Sequence, residues 1–144
     1  MHEFPHNYHA SAVTEGDIVR VSSPELTHIE TAAPVQFGGP GDRWSPETLF
    51  TAAIANCFVL TFKAAAAASK FKWSSMECDV QAVLDRVEKK TQFTEAIVKV
   101  RLTVDDAEDA ERAEKILERS EQNCLVSNSL KTKLKLEAEV LVAA

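Results

Sequence analysis

Three cysteines, Cys57, Cys78 and Cys124, are the side chains with the clearest capacity for covalent chemistry. A thiolate is a nucleophile and passes through a sulfenic acid to a disulfide with no cofactor. Their spacing excludes a Cys-x-x-Cys pair and the short ligand loops of a closed four-ligand zinc site, so no metal is expected. Cys78 falls in phase with Met76 and Val80 in an alternating stretch and reads as a small core residue. Cys57 has Ala53, Ile54, Leu60 and Thr61 as its neighbours at helical spacing. Such a context fits a buried core thiol, because apolar burial opposes ionisation unless a cation is near. Cys124 follows a helix end and opens Cys124-Leu125-Val126-Ser127-Asn128. There the first amides of a short helix could hold a thiolate, or the residue could be a cap.

Other chemistries find little support. His2, His6 and His9 lie in a segment that reads as a solvated tail. The loop Phe37-Gly38-Gly39-Pro40-Gly41-Asp42-Arg43 lacks the Gly-Lys-Ser/Thr ending of a phosphate loop, and no GxSxG or HExxH occurs. With 16 Lys and Arg against 22 Asp and Glu, the net charge of −6 argues against a nucleic-acid binder. No uninterrupted run of about 18 apolar residues exists, so no membrane partner is expected. Residues 1–10 lack a basic-then-apolar pattern, which makes a cytoplasmic chain without a signal peptide the expectation.

The elements that must position the cysteines follow from periodicity. At 144 residues, 45% hydrophobic and 26% charged, the chain is expected to form a single domain over residues 1–144. Short strands are predicted at residues 8–14, 18–22 and 26–31, with turns at Glu15-Gly16-Asp17 and Ser23-Pro24. The loop of residues 37–44 holds Gly38, Gly39 and Gly41 and is expected to concentrate flexible backbone. Ser45 as N-cap, Pro46 at the first helical position and Glu47 in the first turn start a helix that runs to about residue 70. It is apolar on nearly every side and roughly 37 Å long, so burial all round, with help from a second chain, is expected. The period then drops to two. Met76, Cys78, Val80, Ala82 and Leu84 pair across a turn near Glu88-Lys89-Lys90 with Ala96, Val98, Val100, Leu102 and Val104. Asp105 or Asp106 caps a second helix to about residue 122, a short turn or helix reaches Leu130, and Leu134 to Val142 alternate as a last strand. The resulting order, β-β-β-α-β-β-α-α-β, is an α+β layout.

The run Trp44-Ser45-Pro46-Glu47 through Ala55-Asn56-Cys57-Phe58 resembles the helix of OsmC/Ohr proteins, a Pro-Glu followed by an Ala-rich stretch ending in Ala-Cys-Phe. Cys124-Leu125-Val126-Ser127-Asn128 is similar to the second signature of that family, Cys-Pro/Leu-Val/Tyr-Ser-Asn/Gln before a final strand. The resemblance covers about residues 8–143. It implies an OsmC/Ohr-like fold, with antiparallel sheets around two long central helices in an intertwined homodimer.

The resemblance also implies a thiol-dependent peroxidase that reduces organic hydroperoxides without a cofactor. Cys57 would be the peroxidatic nucleophile and Cys124 the resolving thiol, with an external dithiol, of the lipoyl type in one branch of the family, reopening their disulfide. The organic-hydroperoxide-resistance branch carries its Arg in the first hairpin, where Asp17 stands here. Arg43 is then the preferred cation, as in the OsmC-like branch, with Arg20 second and Glu47 as partner and orienter. Ten helical residues span about 15 Å, so Glu47 would serve the Cys57 of a partner subunit. Phe50, Ile54, Phe58 and Trp44 are expected to line an apolar pocket for bulky peroxides. A non-catalytic family member binding a small apolar ligand, or a thiol redox sensor, are the alternatives.

Overall fold

In a computed structural model describing residues 1–144, the chain forms β1 (Ser11–Glu15), β2 (Ile18–Ser22), β3 (Ile29–Thr31), α1 (Pro46–Ala68), β4 (Ser75–Val87), β5 (Lys90–Val104), α2 (Ala110–Asn123), α3 (Leu125–Asn128) and β6 (Lys133–Val142). Single 3₁₀ turns occupy Val35–Phe37 and Ala107–Asp109. The order is the predicted one, with shorter first and third strands. Ser23 to Leu26 close a turn, Leu26 N–H donating to Ser23 O at 3.1 Å, so β3 cannot begin before it. The chain divides into two compact units, Met1–Phe50 and Thr51–Ala144.

In the first unit β1, β2 and β3 form an antiparallel sheet in that order. Glu15 pairs with Ile18 across a turn in which Gly16 sits at φ +62°. The glycine loop is not free backbone. A Cβ on Gly39 would lie 1.6 Å from Ala33 O, so close packing of the loop on residues 33 and 34 demands glycine there. Trp44 then bridges to Thr31, and Ala32 N–H donates to Trp44 O at 2.9 Å.

A reciprocal cap starts α1. Ser45 Oγ accepts the Thr48 N–H at 3.1 Å, and Thr48 Oγ1 accepts the Ser45 N–H at 2.8 Å. Lys70, at φ +54°, ends it, and Phe71 N–H closes on Ala66 O at 2.8 Å. Within one chain α1 buries one face. Ile54, Phe58, Phe62 and Ala66, four residues apart, are at most 2% exposed, whereas Leu60 is 56% exposed. Ala53, Asn56, Lys63, Ala64 and Ala67 are exposed with it. By length and composition α1 could cross a membrane, but its Ile54 to Ala66 stripe is a core face.

In the second unit β4 and β5 form a long antiparallel hairpin, from Ser75 opposite Thr103 to Val87 opposite Lys90. Glu88 and Lys89 turn it at positive φ. The inward face of β5, Ala96, Val98, Val100, Leu102 and Val104, is buried. Each of its larger side chains contributes about 1.5–3 kcal/mol of burial. β6 lies parallel to β5, Glu95 opposite Lys133, so this sheet is mixed and not antiparallel throughout. The crossover through α2 and α3 makes a parallel return possible. Asp106 Oδ1 accepts the Glu108 N–H at 3.0 Å before α2, which buries Ala113, Ile116, Leu117 and Ser120.

Candidate active site

The packing of α1 sets the position of Cys57. Ile54 and Phe58 anchor the helix, and Cys57, one residue short of the Phe58 phase, is left half-buried on its flank. Cys124 ends α2 and caps α3 with extended backbone (φ −68°, ψ 108°), and its side chain is 1% exposed. Asn128 tightens this corner. Its N–H donates to Cys124 O at 2.9 Å, and its Nδ2 donates to Gln122 O at 3.0 Å.

The corner brings the two sulfurs together. Burial pushes the Cys57 thiol upward, but four hydrogen bonds outweigh it: the Cys124 thiol, the Val126 amide, the Thr61 hydroxyl and the Leu125 amide. Cys57 therefore titrates below the ordinary thiol value. Thr61, one turn along α1, places Oγ1 at 3.8 Å from its Sγ. Cys124 moves the other way. Burial raises it first, and its hydrogen bond to Cys57 raises it further. The Ser127 hydroxyl, 3.3 Å away, and the Ser127 amide work against that rise. The pair thus comprises one thiol prone to ionise and a second held protonated against it, and all three cysteines are free. This arrangement lets the first sulfur attack an electrophile and the second close a disulfide.

Cys78 lies on β4 opposite Val100, half-buried between Met76 and Val80. Burial, then the charges of Asp79 and Cys124, push it up to about 11. Arg43 and Glu47 belong to the first unit. Arg43 Nε lies 3.6 Å from Glu30 Oε2 and its Nη1 lies 3.6 Å from Asp42 Oδ2, with the side chain 37% exposed. It borders an open cleft of about 530 Å³ lined by Asp17, Ile18, Ala32 and Gly38. Glu47 occupies the first turn of α1. Arg20 pairs with Glu15 across the first hairpin at 3.0 Å. Of the residues expected to line a pocket, Ile54 and Phe58 are core side chains, 1% and 2% exposed, while Trp44 is 51% exposed. Among the described residues no group of three or more His, Cys, Asp or Glu side chains could hold a metal ion.

The first amides of the short helix were expected to serve a thiolate at Cys124, but the Leu125 and Val126 amides act on Cys57, and the Thr61 and Ser127 hydroxyls add donors to which the sequence assigned no role. Thr61 was visible as the residue four after Cys57, and Ser127 as part of the second cysteine motif. Backbone amides carry no residue-type signal.

The family described as OsmC-like protein matches residues 39–139. No curated protein matches the sequence. Among solved structures, an OsmC-like protein of unknown function from Vibrio cholerae superposes with a TM-score of 0.84 at 18% identity, over 94% of this chain and 100% of that one. An organic hydroperoxide resistance protein from Elizabethkingia anophelis gives 0.78 at 21%, over 99% and 100%. An organic hydroperoxide resistance protein OsmC from Legionella pneumophila gives 0.77 at 22%, over 97% and 100%. At these identities the likeness extends to the fold.

Proposed function

The chain belongs to the OsmC-like protein family, and on that premise we propose that it is a cysteine-based peroxidase that reduces organic hydroperoxides to alcohols. The observation that carries this reading is the Cys57–Cys124 pair, in which a thiol with depressed pKa is hydrogen-bonded to a second thiol. The Cys57 thiolate attacks one oxygen of R–O–O–H. The S–O bond forms, the O–O bond breaks, and the alkoxide leaves as alcohol with one proton, giving Cys57–S–OH. The Leu125 and Val126 amides hold the attacking sulfur as its charge disperses. Arg43, oriented by Glu47, is assigned the charge that assists the leaving alkoxide. Cys124 then displaces hydroxide from the sulfenyl sulfur, which leaves as water, and an external dithiol reopens the disulfide by exchange.

We assign Cys78 no step, in keeping with its raised pKa. The working unit is a homodimer in a reducing, cytoplasmic compartment. The exposed α1 stripe around Leu60, Ala64 and Ala67 is offered as the surface that a second copy covers. Turnover of cumene hydroperoxide with a dithiol reductant tests the reading. Cys57→Ser should abolish it and Cys78→Ser should keep most of it. Equal losses in two folded variants would overturn the assignment.

A further inference from the structure

The turn after Cys124 serves the two sulfurs in different ways. Leu125 and Val126 direct their amides at Cys57, whereas Ser127 turns back on Cys124, its Oγ 3.3 Å from Sγ. The Ser127 amide donates to the same sulfur. Cys124 is 1% exposed, so water has little access to substitute for these donors. We propose that Ser127 is a positioning residue that makes Cys124 the nucleophile of the second step, and does so only after Cys57 has been oxidised. The proposal rests on the two-thiol reading above.

Before oxidation the Cys57 sulfur accepts the Cys124 S–H, and its negative charge opposes a second anion beside it. Cys124 stays protonated, so a second peroxide molecule meets only one thiolate. Formation of Cys57–S–OH replaces that anion with a neutral group. The like-charge opposition disappears, and the S–H loses its charged acceptor. Burial still disfavours the Cys124 thiolate, and the two Ser127 donors are what remains to offset it. The Cys124 thiolate attacks the sulfenyl sulfur, so the S–S bond forms and the S–O bond breaks. Hydroxide leaves and takes up the proton that Cys124 gave up. The Cys57 sulfur is reduced and the Cys124 sulfur oxidised by the same amount.

Two measurements on a Cys78→Ser background test this. In the first, one equivalent of cumene hydroperoxide is mixed with protein and quenched with acid at intervals. Alcohol release and the conversion of sulfenic acid to disulfide are read separately by chromatography and intact mass. Ser127→Ala should leave alcohol release within about twofold but slow disulfide closure about tenfold at pH 7, the cost of one charge-assisted hydrogen bond. Closure should converge with wild type only at a pH alkaline enough to ionise Cys124 in both proteins, and Ser127→Thr should restore most of the rate. Unchanged closure in Ser127→Ala overturns the proposal. In the second, Cys57→Ser leaves Cys124 as the sole thiol, and thiolate absorbance near 240 nm is titrated. Adding Ser127→Ala should shift the midpoint upward, and an unmoved midpoint overturns the proposal. Absence of alcohol release from the parent protein would refute the peroxidase reading itself. The titration would then decide the role of Ser127 alone, an upward shift sustaining it and an unmoved midpoint rejecting it.

Discussion

Replacing Leu125 with proline removes one donor from Cys57 and little else. Cys124, the residue before it, already has the extended backbone that a following proline requires, at ψ 108°. Leu125 is the first residue of α3, where a helix makes no use of the N–H and proline is well tolerated. Its side chain is 71% exposed, so truncation costs little packing. The Leu125 amide is the smallest of the four hydrogen bonds that lower Cys57. Hydrogen bonds to charged groups contribute about 1.5–3 kcal/mol, and the lower end corresponds to about one pK unit. The Cys57 midpoint should therefore rise by about one unit in Leu125→Pro. Alkylation at pH values below the parent midpoint should slow by up to about tenfold, while the limiting rate at high pH stays unchanged. The assay is iodoacetamide labelling of the Cys57 peptide against pH on a Cys78→Ser background, with Cys124 retained because its thiol is the largest of the four donors. Leu125→Ala keeps the amide and should titrate like the parent. Identical midpoints in Leu125→Pro and Leu125→Ala would refute the view that the 124–126 backbone activates Cys57.

Cys78, raised to about 11, has a folded pKa above that of an unfolded thiol at about 8.5. Folding favours its neutral form, so stability is full below the unfolded value and falls as pH rises through 8.5 towards 11. Urea unfolding of Cys78→Ala should lose roughly 1–2 kcal/mol of that alkaline decline, once solvent screening is allowed for. Gly39→Ala sets a Cβ 1.6 Å from Ala33 O and should lower the midpoint of thermal unfolding by more than 10 °C or prevent soluble expression, whereas Gly16→Asn, at φ +62° with open space around it, should not. Arg43→Ala should reduce kcat/KM for cumene hydroperoxide about tenfold or more. Arg43→Lys should recover part of it, since an ammonium lacks the planar fork of guanidinium.

Much of the fold was legible because its signals are local. Ser45-Pro46 marked the α1 start to the residue, and the alternation from Met76 to Val104 marked a hairpin that the register reproduces. Strand direction was not legible. Alternation at Leu134, Leu136 and Ala138 is the same for either direction, and only the crossover decides that β6 runs parallel to β5. Which sides of α1 are covered within one chain was not legible, because apolar residues around a helix do not say which neighbours exist. The Ile54, Phe58, Phe62 and Ala66 stripe has them within the chain, and Leu60 does not. At the candidate site the cysteines were readable from residue type and motif. The hydrogen bonds that set their ionisation were not, since three come from the Leu125, Val126 and Ser127 amides, and those on Cys57, apart from the one from Thr61 on its own helix, need the corner 124–128 to fold back onto α1.

Intact mass and peptide mapping after one equivalent of cumene hydroperoxide test the central claim most directly. The account predicts one molecule of alcohol per chain, a loss of two hydrogens and a single linked pair, Cys57 with Cys124, with neither product from Cys57→Ser. An unchanged mass, or a disulfide that contains Cys78, would contradict it.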